Sequence, residues 1–145
     1  MELTIFSQKD LPRIVEWLLK NIGDRRKIML YGTMGAGKTT FTKAFCQHFG
    51  VQQSTSSPTF SLVNDYFYQN DKNTEGSNSV IHHLDLYRLQ TLEEALDIGI
   101  EDYLDDPNYC LIEWAQLIEP VLPEDAVKLH IEVGDNSARK FVIVP

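Results

Sequence analysis

Residues 32–39, GTMGAGKT, place glycines, a lysine and a threonine in the pattern GxxxxGK followed by Ser or Thr. Glycine permits positive φ angles and lets several backbone N–H groups converge on one phosphate. A helix that begins after this loop directs the positive end of its dipole at the same anion. In this pattern Lys38 reaches the terminal phosphates and the Thr39 hydroxyl can bind Mg²⁺. The segment therefore predicts a phosphate-binding loop. Its candidate ligand contacts are Gly32, Thr33, Met34, Gly35, Ala36, Gly37, Lys38, Thr39 and Thr40.

Two acidic residues follow apolar segments, and a phosphate-binding loop of this kind needs such a carboxylate for its metal ion. Asp85 ends the segment VIHHLD and Glu113 ends YCLIE. Ligands of α/β sheets bind at the carboxyl ends of the strands, so both acids are expected beside Lys38 as catalytic residues. We assign Asp85 to the metal and Glu113 to orienting the attacking water, with a metal contact as well. The reverse assignment of the two roles fits the same pattern. The non-functional interpretation of Asp85 is a helix or turn cap, and that of Glu113 is a solvated strand end.

Other residues carry weaker signals. Thr59, in TSSPTF, lies where many phosphate-binding loop proteins place a segment that senses the terminal phosphate, although a loop entering a strand explains the same residues. His82 and His83 are adjacent and therefore point to opposite faces of a strand, which puts His83 on the face of Asp85. Guanine-specific members of this class usually carry an Asn-Lys-x-Asp segment. The sequence has none, which favours ATP.

The elements that must position these residues follow from apolar periodicity. An apolar strand, 27–31, precedes the loop directly, and a helix is predicted over 38–49 after it. Further strands are predicted over 2–6, 60–68, 80–84, 109–113, 128–133 and 140–144, and further helices over 11–21 and from the capping box at 91–94. Alternating strands and helices predict one α/β domain over 1–145, similar to phosphate-loop NTPases. Its central sheet is expected to be mixed, mostly parallel and flanked by helices.

Composition restricts the class of partner. The net charge is −8 and the isoelectric point is near 4.9, so autonomous binding of nucleic acid is not expected. No apolar run approaches the ~20 residues needed to cross a bilayer, and the first residues lack the features of a secretory signal. Cys46 and Cys110 lie in apolar segments and are expected to be buried, reduced thiols. These features favour a cytoplasmic location without a membrane partner.

Five motifs in this order and spacing resemble the TsaE (YjeE) family of small bacterial ATPases. They are GTMGAGKTTF from Gly32, SPTF at 57–60, HLDLYR at 83–88, EDYL at 101–104 and IEWAQ at 112–116. The phosphate-binding loop alone is shared by many families, whereas its combination with the other four is selective. The IEWAQ segment departs from many members of the family, which have Glu at the position of Gln116.

The resemblance implies a weak, partner-regulated ATPase that uses ATP and Mg²⁺. It implies that the protein acts with the TsaD–TsaB heterodimer, which forms threonylcarbamoyladenosine at position 37 of tRNAs that read ANN codons, and that ATP turnover resets this complex. The tRNA would be held mainly by the partner. The resemblance also places Thr59 in a sensor loop, Asp85 and Glu113 at the functional acids, and adenine contacts near Ser7, Leu11 and Arg139.

Two other functions use the same loop. A small-molecule or nucleoside kinase is one, but such enzymes generally close an arginine-rich lid over the phosphates. The sequence has no arginine-dense segment. Its arginines are Arg13, Arg25, Arg26, Arg88 and Arg139. The other function is a nucleotide-dependent binding module in which hydrolysis is incidental, and the sequence does not separate it from an ATPase.

Overall fold

The computed structural model describes residues 1–33, 35–52, 62–69 and 78–144. The strands are β1 (Glu2–Ile5), β2 (Lys27–Tyr31), β3 (Val63–Gln69), β4 (Asn78–Asp85), β5 (Tyr109–Glu113), β6 (Val127–Val133) and β7 (Arg139–Val144). The α-helices are α1 (Leu11–Ile22), α2 (Lys38–His48), α3 (Leu92–Asp97) and α4 (Ile100–Asp105). Short 3₁₀ segments lie at Gln8–Asp10, Ala115–Val121 and Asp135–Ser137.

The strands form one sheet in the order β1-β7-β6-β2-β5-β4-β3. The central strand β2 pairs in parallel with β5 and β6, and β5 pairs in parallel with β4. The pairs β1–β7, β6–β7 and β3–β4 are antiparallel. All strands except β3 and β7 therefore run in one direction, and the predicted mixed, mostly parallel sheet is confirmed.

Helices cover both faces of the sheet. The apolar stripe of α1 (Ile14, Val15, Leu18 and Ile22) is buried, and it packs with α2 against one face. The helices α3 and α4 and the 3₁₀ segment Ala115–Val121 cover the other face. Because β2 and β5 lie between parallel neighbours under both layers, all their residues are buried. This explains why each strand, apart from Lys27 at the start of β2 and Glu113 at the end of β5, is a continuous apolar run rather than an alternating one.

Several boundaries differ from the sequence predictions. Helix α2 ends one residue earlier, at His48, and β4 includes Asp85 itself. The polar segment 69–79, between the predicted strands 60–68 and 80–84, contributes Gln69 to β3 and Asn78 and Ser79 to β4, because these residues continue the antiparallel ladder. The helix α4 and the 3₁₀ segments are not predicted by the sequence. Residues 53–61 and 70–77, with Thr59 and the SPTF motif, lie outside the described residues, as does Met34.

The two cysteines are free and buried, as predicted. Burial raises the pKa of Cys46 to about 12 and raises the pKa of Cys110 further, so neither thiol is activated as a nucleophile. Across the described ranges, none of the helices combines the length and apolar character that crossing a membrane requires.

Candidate phosphate-binding and metal site

The loop after β2 is shaped by three glycines. A side chain at Gly32 would place its Cβ 2.9 Å from the backbone oxygen of Ile131, so only glycine fits there. Gly35 and Gly37 have φ angles of +83° and +109°, which side chains rarely adopt. The Ala36 N–H donates to the Thr33 carbonyl at 3.0 Å and closes the turn. Gly37 then caps α2 without a side chain, which leaves the N–H groups of the first helical turn directed at the loop.

Lys38 is held inside the loop. Its side chain is almost buried, and its ammonium group donates to the Gly32 carbonyl at 2.8 Å. The same group lies 4.5 Å from the centre of the Trp114 ring, at cation–π distance. Trp114 in turn contacts the Tyr87 ring, with centroids 5.3 Å apart. The ammonium group is therefore fixed at the centre of the loop by contacts that a phosphate oxygen can replace.

The two predicted acids lie side by side. Asp85 and Glu113 are direct partners in the parallel register of β4 and β5. Together with Lys38, Thr39 and Thr40 they line one pocket, which Gly35, Gly37, Tyr87 and Trp114 complete. Both strand ends thus place their acids beside the loop.

The environments of the two acids differ. Burial raises the pKa of Asp85, and the negative charge of Glu113 raises it further. The N–H of Tyr87, which donates to Asp85 Oδ1 at 3.0 Å, acts in the opposite direction and lowers this pKa. Asp85 thus also caps a turn, as the non-functional interpretation proposes, while it faces the pocket. Glu113 is only 4% exposed and contacts His83, whose Nε2 lies 2.6 Å from Glu113 Oε2.

The donor set suits a hard cation such as Mg²⁺. The pocket offers the Thr39 hydroxyl and the carboxylates of Asp85 and Glu113, which are oxygen ligands of the kind that Mg²⁺ prefers. Within the described ranges there is no cluster of three or more His, Cys, Asp or Glu side chains that could enclose an ion. Mg²⁺ commonly binds through one or two carboxylates and completes its shell with waters and phosphate oxygens, so these residues fit it.

A second pocket lies on the other side of the loop. It shares Gly35, Gly37 and Thr40 with the first, so the two form a cleft across the loop. Its remaining walls come from the N-terminal segment up to the start of α1, from the loop itself, and from β7 with the residue of the 3₁₀ segment two positions before it. They are Ile5, Phe6, Ser7, Gln8, Leu11, Ala36, Ser137, Arg139 and Phe141.

Strand pairing explains why distant segments meet there. β1 pairs with β7 so that Ile5 lies opposite Arg139, which brings the residues after β1 beside the start of β7. Arg139 donates through Nε to the Ala36 carbonyl at 3.1 Å and thereby ties β7 to the loop. Ser7 accepts a hydrogen bond from the Lys9 N–H and shapes the turn that precedes α1. The predicted base-contacting residues Ser7, Leu11 and Arg139 are thus brought together.

Comparison with known proteins identifies the family. The model of the family described as threonylcarbamoyl adenosine biosynthesis protein TsaE matches residues 5–141. The chain belongs to the TsaE family. A curated TsaE of Haemophilus influenzae is 39% identical over 127 residues, which cover 86% of this chain and 75% of that protein. A TsaE of Bacillus subtilis is 35% identical over 114 residues, which cover 79% of this chain and 66% of the relative, just under two thirds.

Both relatives carry the name tRNA threonylcarbamoyladenosine biosynthesis protein TsaE. The fold agrees as well. The crystal structure of Bacillus subtilis YdiB matches 99% of this chain and 83% of its own, with a TM-score of 0.72 and 26% identity. The TsaE-family assignment made from five short motifs is confirmed by matches that extend over most of the chain.

The two pockets of this TsaE-family chain also contain residues that the motifs alone do not assign to a site. Tyr87 and Trp114 line the pocket that contains Lys38 and Asp85. They belong to the motifs HLDLYR and IEWAQ, and from the sequence Trp114 fits either a place near the site or a place in the core. Phe6, Gln8, Ser137 and Phe141 line the second pocket. The alternation of β7, which puts Phe141 on the face of Arg139, is the signal that could have identified one of them. Thr59 and Met34 lie outside the described residues.

Proposed function

We propose that this protein binds ATP with Mg²⁺ and hydrolyses it slowly to ADP and phosphate, in support of threonylcarbamoyladenosine formation in tRNA. The observation that carries the proposal is a single pocket, at the end of a phosphate-binding loop, that holds Lys38, Thr39, Asp85 and Glu113 in a TsaE-family chain. An anion, a divalent cation and a water molecule each have a suitable partner there.

Each residue contributes a separate part of the chemistry. The N–H groups of the loop and of the first turn of α2 would bind the phosphates. Lys38 would exchange its bond to the Gly32 carbonyl for a phosphate oxygen. Thr39 and Asp85 would hold Mg²⁺, which when bound neutralises charge on the phosphates. Glu113 would orient the attacking water, because its carboxylate can accept a hydrogen bond inside the pocket.

The base would lie in the pocket on the other side of the loop. Ser7, Leu11 and Arg139 line that pocket, and Gly35, Gly37 and Thr40 connect it to the phosphate side. A nucleoside triphosphate that spans the loop would reach both pockets. The absence of Asn-Lys-x-Asp from the sequence supports adenine over guanine.

The positions of the arginines do not favour a kinase. All the arginines lie in the described part of the chain, and only Arg139 borders the cleft, on its base side. Arg25 donates to backbone carbonyls of α1, and Arg26 lies over the Tyr109 ring. Arg13 and Arg88 are exposed outside both pockets. A P-loop kinase generally needs arginines over the phosphates, so hydrolysis is the better supported reaction.

The partner proposed for this activity is the TsaD–TsaB heterodimer, with tRNA contacted through that complex. The net charge of −8 supports the division of labour, since an acidic surface repels the phosphate backbone of RNA. Family membership supports the choice of partner.

The experiment compares Lys38→Ala with Lys43→Ala, which removes an exposed lysine from the same helix. ATP with Mg²⁺ should raise the melting temperature of the wild type and of Lys43→Ala. Lys38→Ala should lose this rise, because the terminal phosphates lose their cation. Multiple-turnover tRNA modification with TsaD and TsaB should fail in the same variant. An undiminished thermal shift in Lys38→Ala would exclude the loop as the nucleotide site, and unimpaired modification would exclude the proposed role.

A further inference from the structure

His83 is a buried histidine that contacts the pocket of Lys38 and Asp85 through another residue, Glu113. It lies on β4 opposite Leu111, and Glu113 lies two residues further along β5 on the same face. This diagonal arrangement brings His83 Nε2 to 2.6 Å from Glu113 Oε2. The side chain of His83 is fully buried, and His83 is not among the residues that line the pocket, whereas Glu113 is.

The hydrogen-bond inventory of His83 is unusual. A carboxylate oxygen only accepts, so Nε2 is the nitrogen that donates to Glu113. Nδ1 is buried and has no hydrogen-bond partner within the described ranges. Most buried polar side-chain atoms are paired, and an unpaired one costs free energy. A leucine or phenylalanine would fill an apolar site without this cost, which indicates that the imidazole is present for its bond to Glu113.

We propose that His83 is a positioning residue that holds the Glu113 carboxylate in the orientation needed to align the attacking water. The bond from Nε2 fixes one carboxylate oxygen and leaves the other for the pocket. This inference rests on the proposed hydrolysis of ATP, but it concerns a contact that exists without nucleotide. Side chains that orient a functional group in this way typically contribute 10- to 100-fold to activity, as measured at metal sites.

The first test separates orientation from binding. We expect His83→Ala to lower kcat for ATP hydrolysis by roughly 10- to 100-fold and to leave KM and the thermal shift with ATP and Mg²⁺ unchanged. His83→Gln should recover part of kcat, because the glutamine amide N–H can donate from a similar distance. His82→Gln, on the opposite face of β4, is the matched control and should keep the wild-type kcat at temperatures where it is folded.

A double-mutant cycle tests whether His83 acts through Glu113. If it does, His83→Ala should produce no further loss of kcat in a Glu113→Gln background. An equal loss in both backgrounds, an unchanged kcat in His83→Ala, or a rise in KM alone would overturn the positioning role. A wild type that hydrolyses no ATP would instead overturn the proposed function together with this inference.

A spectroscopic measurement covers the case in which His83→Ala does not fold. In the nucleotide-free protein, the imidazole ¹H–¹⁵N spectrum should show a proton on Nε2 of His83. That resonance should disappear in His83→Gln and shift in Glu113→Gln, where a neutral amide oxygen replaces the charged acceptor. A resonance unaffected by Glu113→Gln would show that the contact does not hold the carboxylate, and would overturn the proposal.

Discussion

His82 and His83 are neighbours on β4, yet they lie in different kinds of polar environment on opposite faces of the sheet. His83 faces the layer of α1 and α2, and among the described residues its ring nitrogens form one hydrogen bond, to Glu113. His82 faces α4, where its two nitrogens lie 2.6 Å from Asp65 Oδ1 and 2.7 Å from Asp106 Oδ2. The edge-on ring of Tyr103 completes its surroundings, 4.9 Å away between centroids.

His82 belongs to a cluster of polar side chains that joins β2, β3 and β4 to the end of α4. Lys27, at the start of β2, donates to Asp106 Oδ1 at 2.8 Å and to the Asn108 carbonyl at 2.7 Å. Asp106 follows α4 and also accepts from the backbone and side chain of Asn108. Asp65 adds β3 through its cross-strand pairing with His82. We call Lys27, Asp65, His82 and Asp106 the opposite-face cluster.

The two regions differ in how completely their polar groups are paired. In the opposite-face cluster each charged side chain has a protein partner. On the pocket side, His83 Nδ1 is unpaired within the described residues, and burial together with Glu113 raises the pKa of Asp85. Lys38 bonds to a carbonyl of its own loop. Complete pairing is typical of a group that stabilises the fold, and incomplete pairing is typical of groups held for a ligand.

The largest effect on stability is expected from Lys27→Met, which keeps the apolar stem of the side chain and removes its charge. Asp106 and the Asn108 carbonyl would lose their buried donor, and breaking a buried ion pair typically costs about 3 kcal/mol or more. Because Asp106 is partly exposed, we expect the free energy of unfolding in urea to fall by about 2 to 3 kcal/mol. ATP hydrolysis should be unchanged at temperatures where the variant is folded.

Lys140→Met is the matched control for that change. Lys140 forms ion pairs with Glu132 at 3.1 Å and Glu2 at 3.9 Å, but all three side chains are exposed. Exposed pairs contribute little because water and salt screen them. Equal losses of stability in the two variants would show that burial does not strengthen the Lys27 contacts. A loss of ATP turnover in Lys27→Met would show that the cluster and the pocket are not separate in function.

The next largest effect is the contribution of Asp106 to the free energy of unfolding, which should depend on pH. Burial alone would raise its pKa, but hydrogen bonds from Lys27, Asn108 and His82 outweigh it and lower the pKa to about 2. An acid with a lowered pKa in the folded state stabilises above its unfolded pKa, near 3.8, and this stabilisation is lost as the pH falls through about 2. The contribution is roughly 2 kcal/mol.

The comparison uses Asp106→Asn, the wild type and Asp105→Asn, which changes an exposed acid of α4. The free energy of unfolding of Asp106→Asn should lie below that of the wild type at pH 5, and the difference should shrink between pH 4 and pH 2. Asp105→Asn should follow the wild type across this range. A difference for Asp106→Asn that stays constant with pH would exclude the ionised carboxylate as its source.

The two regions also differ in how far the sequence predicts them. Glycine spacing identifies the loop because the loop backbone requires glycine at fixed positions. An acid that directly follows an apolar strand is predicted to lie at the site, as Asp85 and Glu113 are, because parallel strands end at one edge of the sheet. Strand alternation places His83 on the face of Asp85. Its contact with Glu113 needs one further fact, the register of β4 and β5, which local patterns do not contain.

The opposite-face cluster has no comparable local signal. Lys27 and Asp106 are separated by 79 residues, and His82 and Asp106 by 24, so their contacts depend on the packing of α4. That helix has six residues and gives too short a periodic pattern to predict. The turn at Trp114, with a φ of +59°, is also not predicted, because tryptophan rarely adopts this conformation and tertiary contacts must hold it there.

The smallest effect on stability is expected from Asp85→Asn, and its sign should be opposite to that of Asp106→Asn. An acid whose pKa is raised by folding destabilises the folded state once it ionises, so stability is lost as the pH rises through its unfolded pKa. Asparagine removes the charge and keeps an oxygen that accepts the Tyr87 N–H. At pH 7 the melting temperature should therefore rise slightly, while the Mg²⁺-dependent part of the thermal shift with ATP is lost. The same substitution at Asp106 should lower stability, so the sign of the change separates a residue held for a ligand from one that stabilises the fold. A lower melting temperature for Asp85→Asn would show that this carboxylate is structural.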